Sequence, residues 1–153
     1  MYERPEAFLA EAFGRDVPAP RTVWLAGARR EAAARILGHA PAALRVRFWA
    51  REERTAWILD EIGKEQPITA GIVVEAGRIE RVVVLIYRES IGWEVRHRFF
   101  TVQFERARLD DSLELTQPVD GIAGATLSVR AVSAMARLAL YLHGEVVGER
   151  KGS

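Results

Sequence analysis

Ile68-Thr-Ala-Gly-Ile-Val-Val-Glu75, Ala76-Gly77 and Arg78-Ile-Glu-Arg-Val-Val-Val-Leu-Ile-Tyr-Arg88 read as two strands and the turn that joins them. Valine and isoleucine dominate both runs, and β-branched side chains suit a pleated, half-buried surface. The two-residue loop Ala76-Gly77 fits a tight hairpin, since its glycine can take the positive φ such turns require. Val82-Val-Val-Leu-Ile86 is apolar on both faces, so the pattern predicts a central strand covered on both sides. The expected covers are two downstream helices, from about Trp93 or Glu94 to Glu105 and from about Leu127 to His143.

Upstream, the period of two starts at Leu44. Leu44, Val46, Phe48 and Ala50 fall on one face and Arg45, Arg47, Trp49 and Arg51 on the other, a strand with one wet face. Arg51-Glu-Glu-Arg54 turns the chain into a partner, Thr55-Ala-Trp-Ile-Leu59. Further towards the start, Pro5 to Phe13 reads as a helix stopped by Gly14, Asp16 to Pro20 as a proline-stiffened connector, and Val23-Trp-Leu25 as an edge strand. Ala28 to Leu37 is an alanine-rich helix with Gly38 at its end.

Downstream, a helix is expected from about Trp93 or Glu94 to Glu105, and a C-terminal one from about Leu127 to His143. Leu127, Ala131, Met135, Leu138 and Leu142 make the buried stripe of the latter, Gly144 its stop, and His143 a group answering the helix dipole. The expectation is one α+β domain over residues 1–153, a mostly antiparallel sheet flanked by helices. Within it, residues 1–60 form two helices and a hairpin packed on a core spanning 68–143.

Composition narrows the function. The 153 residues carry 49% hydrophobic and 28% charged side chains, a globular balance, with 22 basic and 21 acidic groups and a net charge of +1. Without a single-sign field, nucleic acid is not an expected partner. No cysteine is present, which excludes disulfides, thiolate metal sites and thiol nucleophiles. No run approaches the ~20 apolar residues of a bilayer span, and Met1-Tyr-Glu-Arg-Pro5 lacks the pattern of a secretory signal. His39, His97 and His143 are too widely spaced for a metal pair, Asp110, Asp111 and Glu114 fall in a polar loop, and Lys64 reads as a surface charge.

Asp120-Gly-Ile-Ala-Gly-Ala-Thr-Leu-Ser128 runs from a loop of small residues into the start of a helix. Free backbone N–H groups and the helix dipole favour an anion at such a place. Gly124 and Ala125 let the backbone approach closely, Thr126 offers a hydroxyl, and Ser128 a second donor. Physics leaves two readings open: a phosphate site, or a turn at Gly124 with Thr126 or Ser128 as an ordinary helix cap.

The same nonapeptide resembles the flavinylation motif of the FMN-binding domain family, typified by flavoprotein subunits of sodium-pumping NADH:quinone oxidoreductase and the related Rnf complex. The likeness spans about Ile68 to His143 and includes Gly71 to Glu75, Arg78-Ile79, Val84 to Glu89 and Gln103-Phe104. It implies that Thr126 carries FMN as a phosphoester, attached by a flavin transferase with FAD as donor. Around it, the resemblance marks Asp120, Ala123, Gly124, Ala125, Leu127 and Ser128 as cofactor-binding. Ala123 departs from the commoner serine or threonine and removes a hydrogen bond, not the acceptor hydroxyl.

Glu89-Ser-Ile-Gly-Trp93 resembles the family's Glu-Thr-x-Gly loop beside the isoalloxazine ring. On that likeness Glu89, Ser90, Gly92 and Trp93 join the site, Gly92 permitting close approach and Trp93 stacking. The resemblance thus implies an electron-transfer flavoprotein, a redox carrier more than a stand-alone enzyme. Its expected partners are membrane or periplasmic redox proteins, its setting extracytoplasmic, and Met1 the replacement of a removed signal; a cytoplasmic protein is the other reading. Two alternatives stand beside it: a module that binds FMN or another phosphorylated ligand without a bond, and a structural subunit of a membrane redox complex.

Overall fold

The computed structural model describes residues 3–152, and of residues 149–152 only the backbone. The chain forms α1 (Pro5–Phe13), β1 (Arg21–Trp24), α2 (Ala28–Leu37), β2 (Arg45–Arg51), β3 (Arg54–Ile62), β4 (Pro67–Glu75), β5 (Arg78–Ile86), α3 (Arg98–Thr101) and α4 (Thr126–Gly152). The five strands pair in chain order, each antiparallel to the next. This is the expected single α+β domain.

Both N-terminal helices end on their expected glycines: the N–H groups of Gly14 and Gly38 close on Ala10 and Ala34. The turn between β4 and β5 is of the primed type, with positive φ at both Ala76 and Gly77. β3 runs to Ile62, three residues past the expected end, because β4 pairs with it along its whole length.

β5 is an edge strand, and the strand buried on both sides is its interior neighbour β4. β4 is buried from Ile68 to Val74, whereas Val82 to Ile86 lie in the last strand of the order. The expected cover on both sides is present, since each face of the sheet carries a helix, but the second cover is α1 and not the 93–105 segment, whose Val95, Phe100 and Phe104 join the core on the α4 side. On one face α4 packs over β3, β4 and β5, with α2 beside it. On the other, α1 sets Phe8 upon Gly71, where a Cβ would come within 2.7 Å of the ring. Leu85 and Val73 join Phe8 there, and Val83 and Ile86 pack against them. Full burial of an aromatic side chain such as Phe8 contributes about 1.5–3 kcal/mol.

α1 also corrects the wet face of β2. Arg45 and Arg47 are exposed, but Trp49 is buried in the α1 cluster with Phe13. The alternation was right; the cover over one end of the strand comes from a distant segment.

Two helix expectations fail. Between Trp93 and Glu105 the chain makes a 3-10 turn (Trp93–Arg96), the single α-turn of α3 and a second 3-10 turn (Val102–Phe104). His97 is extended, at φ −79° and ψ 146°, and its carbonyl accepts from Phe100 and Thr101, restarting the helix. At the other end, Gly144 does not stop α4, which continues to Gly152. Val146 and Val147 beyond it are buried in the core, and Glu145 pairs with Arg29 of α2 at 2.9 Å. That burial outweighs the ~1 kcal/mol intrinsic cost of a helical glycine.

His143 is therefore within the helix, buried, and answers no dipole. The Gly77 N–H donates to its Nε2 at 3.2 Å, so Nδ1 carries the proton and donates to Thr55 Oγ1 at 2.7 Å. Trp57 Nε1 donates to the same hydroxyl at 2.7 Å, and its ring stacks on Phe48 with centroids 4.9 Å apart. This buried set ties the tip of the β4–β5 hairpin to α4.

Candidate functional site

The strap before α4 is laced to the broken helical segment. Asp120 N–H donates to Gln103 Oε1 at 2.7 Å, and Gln103 Nε2 returns a bond to the Asp120 carbonyl at 3.4 Å. Gln117 Nε2 reaches the carbonyls of Gln103 and Glu105, at 2.7 and 3.0 Å. A turn follows, closed by Ala125 N–H on the Ile122 carbonyl at 2.9 Å, with Gly124 at φ +81° in the position that a type II turn reserves for glycine.

α4 then starts at Thr126, with Ala125 as its cap residue. Ala125 has no side-chain oxygen to turn inward, and the first ladder bond is Val129 N–H to the Ala125 carbonyl at 2.9 Å. The N–H groups of Thr126, Leu127 and Ser128 have no acceptor among the described residues. Thr126, Ala123 and Gly124 are exposed, and the space above Gly124 is open.

A cavity of about 270 Å³ stands over this helix start, lined by Gly124 to Ser128 together with Lys64, Glu89 and Ile91. Lys64, Glu89 and Ile91 also line an adjoining hollow of about 320 Å³, where Ser90 and Arg88 appear. The Glu89 carboxylate binds the two loops together: Gln66 and Glu65 N–H both donate to its Oε1 at 2.5 Å. Those two amides, with Lys64 nearby, hold its pKa below the ordinary carboxylate range.

Gly92 lies behind the cavity rather than on its wall. It is left-handed at φ +85°, and a Cβ there would meet Tyr87 Oη at 2.5 Å and Ser128 Oγ at 2.7 Å. Tyr87 donates to the Ile91 carbonyl and stands 2.8 Å from Ser128 Oγ, so the Ser128 hydroxyl is the donor between them. Ser128, 4% exposed, thus spends its side chain on a latch between α4 and the 87–92 loop. Trp93 is 40% exposed and turns to its own segment, edge-on to His97 at 5.1 Å with the Arg96 guanidinium 5.0 Å from its centroid.

Of the residues singled out in the sequence, Thr126, Gly124, Ala125, Leu127, Ser128 and Glu89 converge on one cavity, and Ser90 on its neighbour. Ala123, Asp120, Gly92 and Trp93 line neither. Sequence reading missed Lys64 and Ile91 on the wall and Tyr87 beneath it. Lys64 is one of only two lysines in the chain, the one signal that set it apart. No metal-holding cluster of acidic or histidine side chains occurs among the described residues, and none of their helices is long and apolar enough to cross a membrane.

The model of the FMN-binding domain family matches residues 63–141, just over half of the chain, from the residue before Lys64 on the cavity wall into α4. Among solved structures, Shewanella oneidensis NqrC superposes with a TM-score of 0.65 at 18% identity, covering 94% of this chain and 88% of that one. At that identity the likeness is one of fold, and it extends to the N-terminal helices and strands. Among curated proteins none gives a significant match.

Proposed function

The chain belongs to the FMN-binding domain family, and from that premise we propose that it is an electron carrier whose FMN is joined by a phosphoester to Thr126. One observation carries the reading: an exposed threonine hydroxyl at the first position of α4, beside three N–H groups that lack acceptors among the described residues, in a cavity that Lys64 also lines. Such a donor set suits a phosphate, which gains from both the free amides and the helix dipole. Lys64 adds a positive charge.

Attachment needs a second protein, a flavin transferase with FAD as donor. Thr126 Oγ1 attacks the phosphorus of the FMN half, the Oγ1–P bond forms, the anhydride P–O bond of FAD breaks, AMP leaves, and the hydroxyl proton passes to base. Bound flavin supplies one- and two-electron redox chemistry. The protein's part is position: Gly124 keeps the approach to Thr126 open, Glu89 fixes the 63–66 loop, and the Tyr87–Ser128 latch holds the 87–92 loop against α4. Ile91 and Leu127, 62% and 46% exposed, give the cavity an apolar rim for a redox partner. We place that partner at a membrane or in the periplasm, and the protein outside the cytoplasm, where a covalent tether prevents loss of the cofactor by dilution.

The test is a mass. Co-expression with a flavin transferase is expected to raise the mass by one FMN less one water in wild type and Thr126→Ser, with no increase in Thr126→Val. Equal labelling of Thr126→Val sinks the ester at this residue, and an unlabelled wild type that still binds free FMN replaces the tether by non-covalent binding.

A further inference from the structure

We propose that the opening between β2 and β3 is a second binding site, for a small amphiphile with an apolar tail and an anionic head, of which a medium-chain carboxylate is the simplest form. The proposal does not rest on the flavin reading. Its origin is a break in the sheet. The β2–β3 register covers only Arg51↔Arg54 to Phe48↔Trp57, after which β3 continues from Ile58 to Ile62 paired to β4 alone, and Arg45 to Arg47 pair to β1 alone. The two strands diverge, and a cavity of about 430 Å³, larger than the one at Thr126, lies in the gap.

The gap passes from one face of the sheet to the other. Side chains alternate along a strand, so Arg45, Arg47, Ile58 and Asp60 belong to the outer face, and Val46, Leu59 and Glu61 to the core face. All of them line the cavity, and Leu25, Leu37 and Leu138 close its inner end. Those three leucines are each less than a tenth exposed. A mostly apolar hollow of this size with a few convergent polar groups has the make-up of a small-ligand pocket.

Charge decides the head group. Glu61 on the core side is already matched: His39 Nε2 stands 2.8 Å and Arg130 Nη2 3.3 Å from its Oε2, and His39 Nδ1 faces the Ala40 carbonyl at 2.9 Å. Asp60 on the outer rim accepts the Thr69 hydroxyl. Arg45 lies over the Trp24 ring, 5.5 Å from its centroid, and neither it nor Arg47 has a carboxylate partner among the described residues. The Arg45 and Arg47 side chains along the outer wall and the leucines at the floor fit a tail inserted through the split sheet with its acid group held outside, within reach of the two arginines.

The experiment is a titration of the full chain with decanoate below its micelle-forming concentration, followed by amide chemical shifts. Saturable binding is expected, with the largest changes at Val46, Leu59 and Leu138. Decanol should bind about tenfold more weakly, and the Arg45→Gln/Arg47→Gln variant should weaken decanoate by a similar factor. Ala43→Trp, a change at an exposed residue of the wall, should block entry. No saturable binding to wild type, equal affinity for decanol, or an unaffected arginine double variant each overturns the proposal. Sedimentation with phosphatidylglycerol vesicles separates the sources: retention displaced by decanoate assigns the tail to a bilayer lipid, and no retention assigns it to a free acid. Retention that decanoate does not displace overturns the pocket in favour of simple docking by the arginines.

Discussion

The two ends of α4 are built on opposite principles. At its start, Ala125 leaves three amides uncapped, Thr126 faces solvent, and the only buried polar side chain of the first turn, Ser128, is occupied by Tyr87. Towards its end the helix runs through Gly144 and Gly148, weak helix formers, yet is held by His143, Val146, Val147 and the Glu145–Arg29 pair. Intrinsic preference and stability are uncoupled along one helix. Where packing is dense, poor local signals are overruled; where the helix is left open, its first N–H groups have no acceptor among the described residues.

That contrast can be broken most sharply at Gly92, beneath the open end. Gly92→Ala combines a left-handed backbone with overlap against Tyr87 and Ser128, and is expected to cost about 2–4 kcal/mol by urea denaturation. A loss under 1 kcal/mol means that the latch is not the support of the 87–92 loop.

At the closed end, His143→Leu keeps the bulk and removes the bonds to Thr55 and Gly77, with an expected loss of about 1–3 kcal/mol. Flavin loading should be unchanged. Reduced loading at wild-type stability removes the separation of the two ends.

Gly144→Ala sharpens the comparison with the opposite sign. A Cβ at Gly144 meets nothing within 4 Å, so alanine in a helix interior should raise stability by about 0.5–1 kcal/mol. Destabilisation by the same change restores Gly144 as a left-handed stop.

The smallest effect is local and depends on pH. The folded pKa of Glu89 lies below its unfolded value because the Gln66 and Glu65 amides bind the charged form. Its contribution is therefore complete above the ordinary carboxylate pKa of about 4.3 and is lost as pH falls through the lower folded value. Amide shifts of Glu65 and Gln66 should titrate below that ordinary value. Titration at it means that the carboxylate does not tie the loops.

How much could be read before folding is clearest residue by residue. Gly14 and Gly38 ended their helices, and Ala76-Gly77 turned its hairpin, because those signals act over neighbouring residues and a positive φ is a local demand. The convergence of Thr126 and Glu89 on one cavity was legible through two motifs, each a continuous stretch. Lys64 was not, since a lone lysine after a glycine carries no pattern until β3 brings it beside α4.

Local chemistry along the chain was enough for the strand periods, the turn and stop glycines Gly14, Gly38 and Gly77, and a helix start close behind Gly124, all set by forces reaching only a few residues. That Ser128 turns to Tyr87 and leaves this start without a side-chain cap was decided by the tertiary structure. The tertiary structure alone settled which strand is central, why Trp49 is dry, that His97 breaks a helix while Gly144 does not, and that β2 and β3 part. Those outcomes depend on burial against residues far away in sequence: Phe8 on Gly71, α1 over Trp49, and α2 beside the end of α4. Area removed from water is a property of the assembled layers, and a single strand or helix does not carry it.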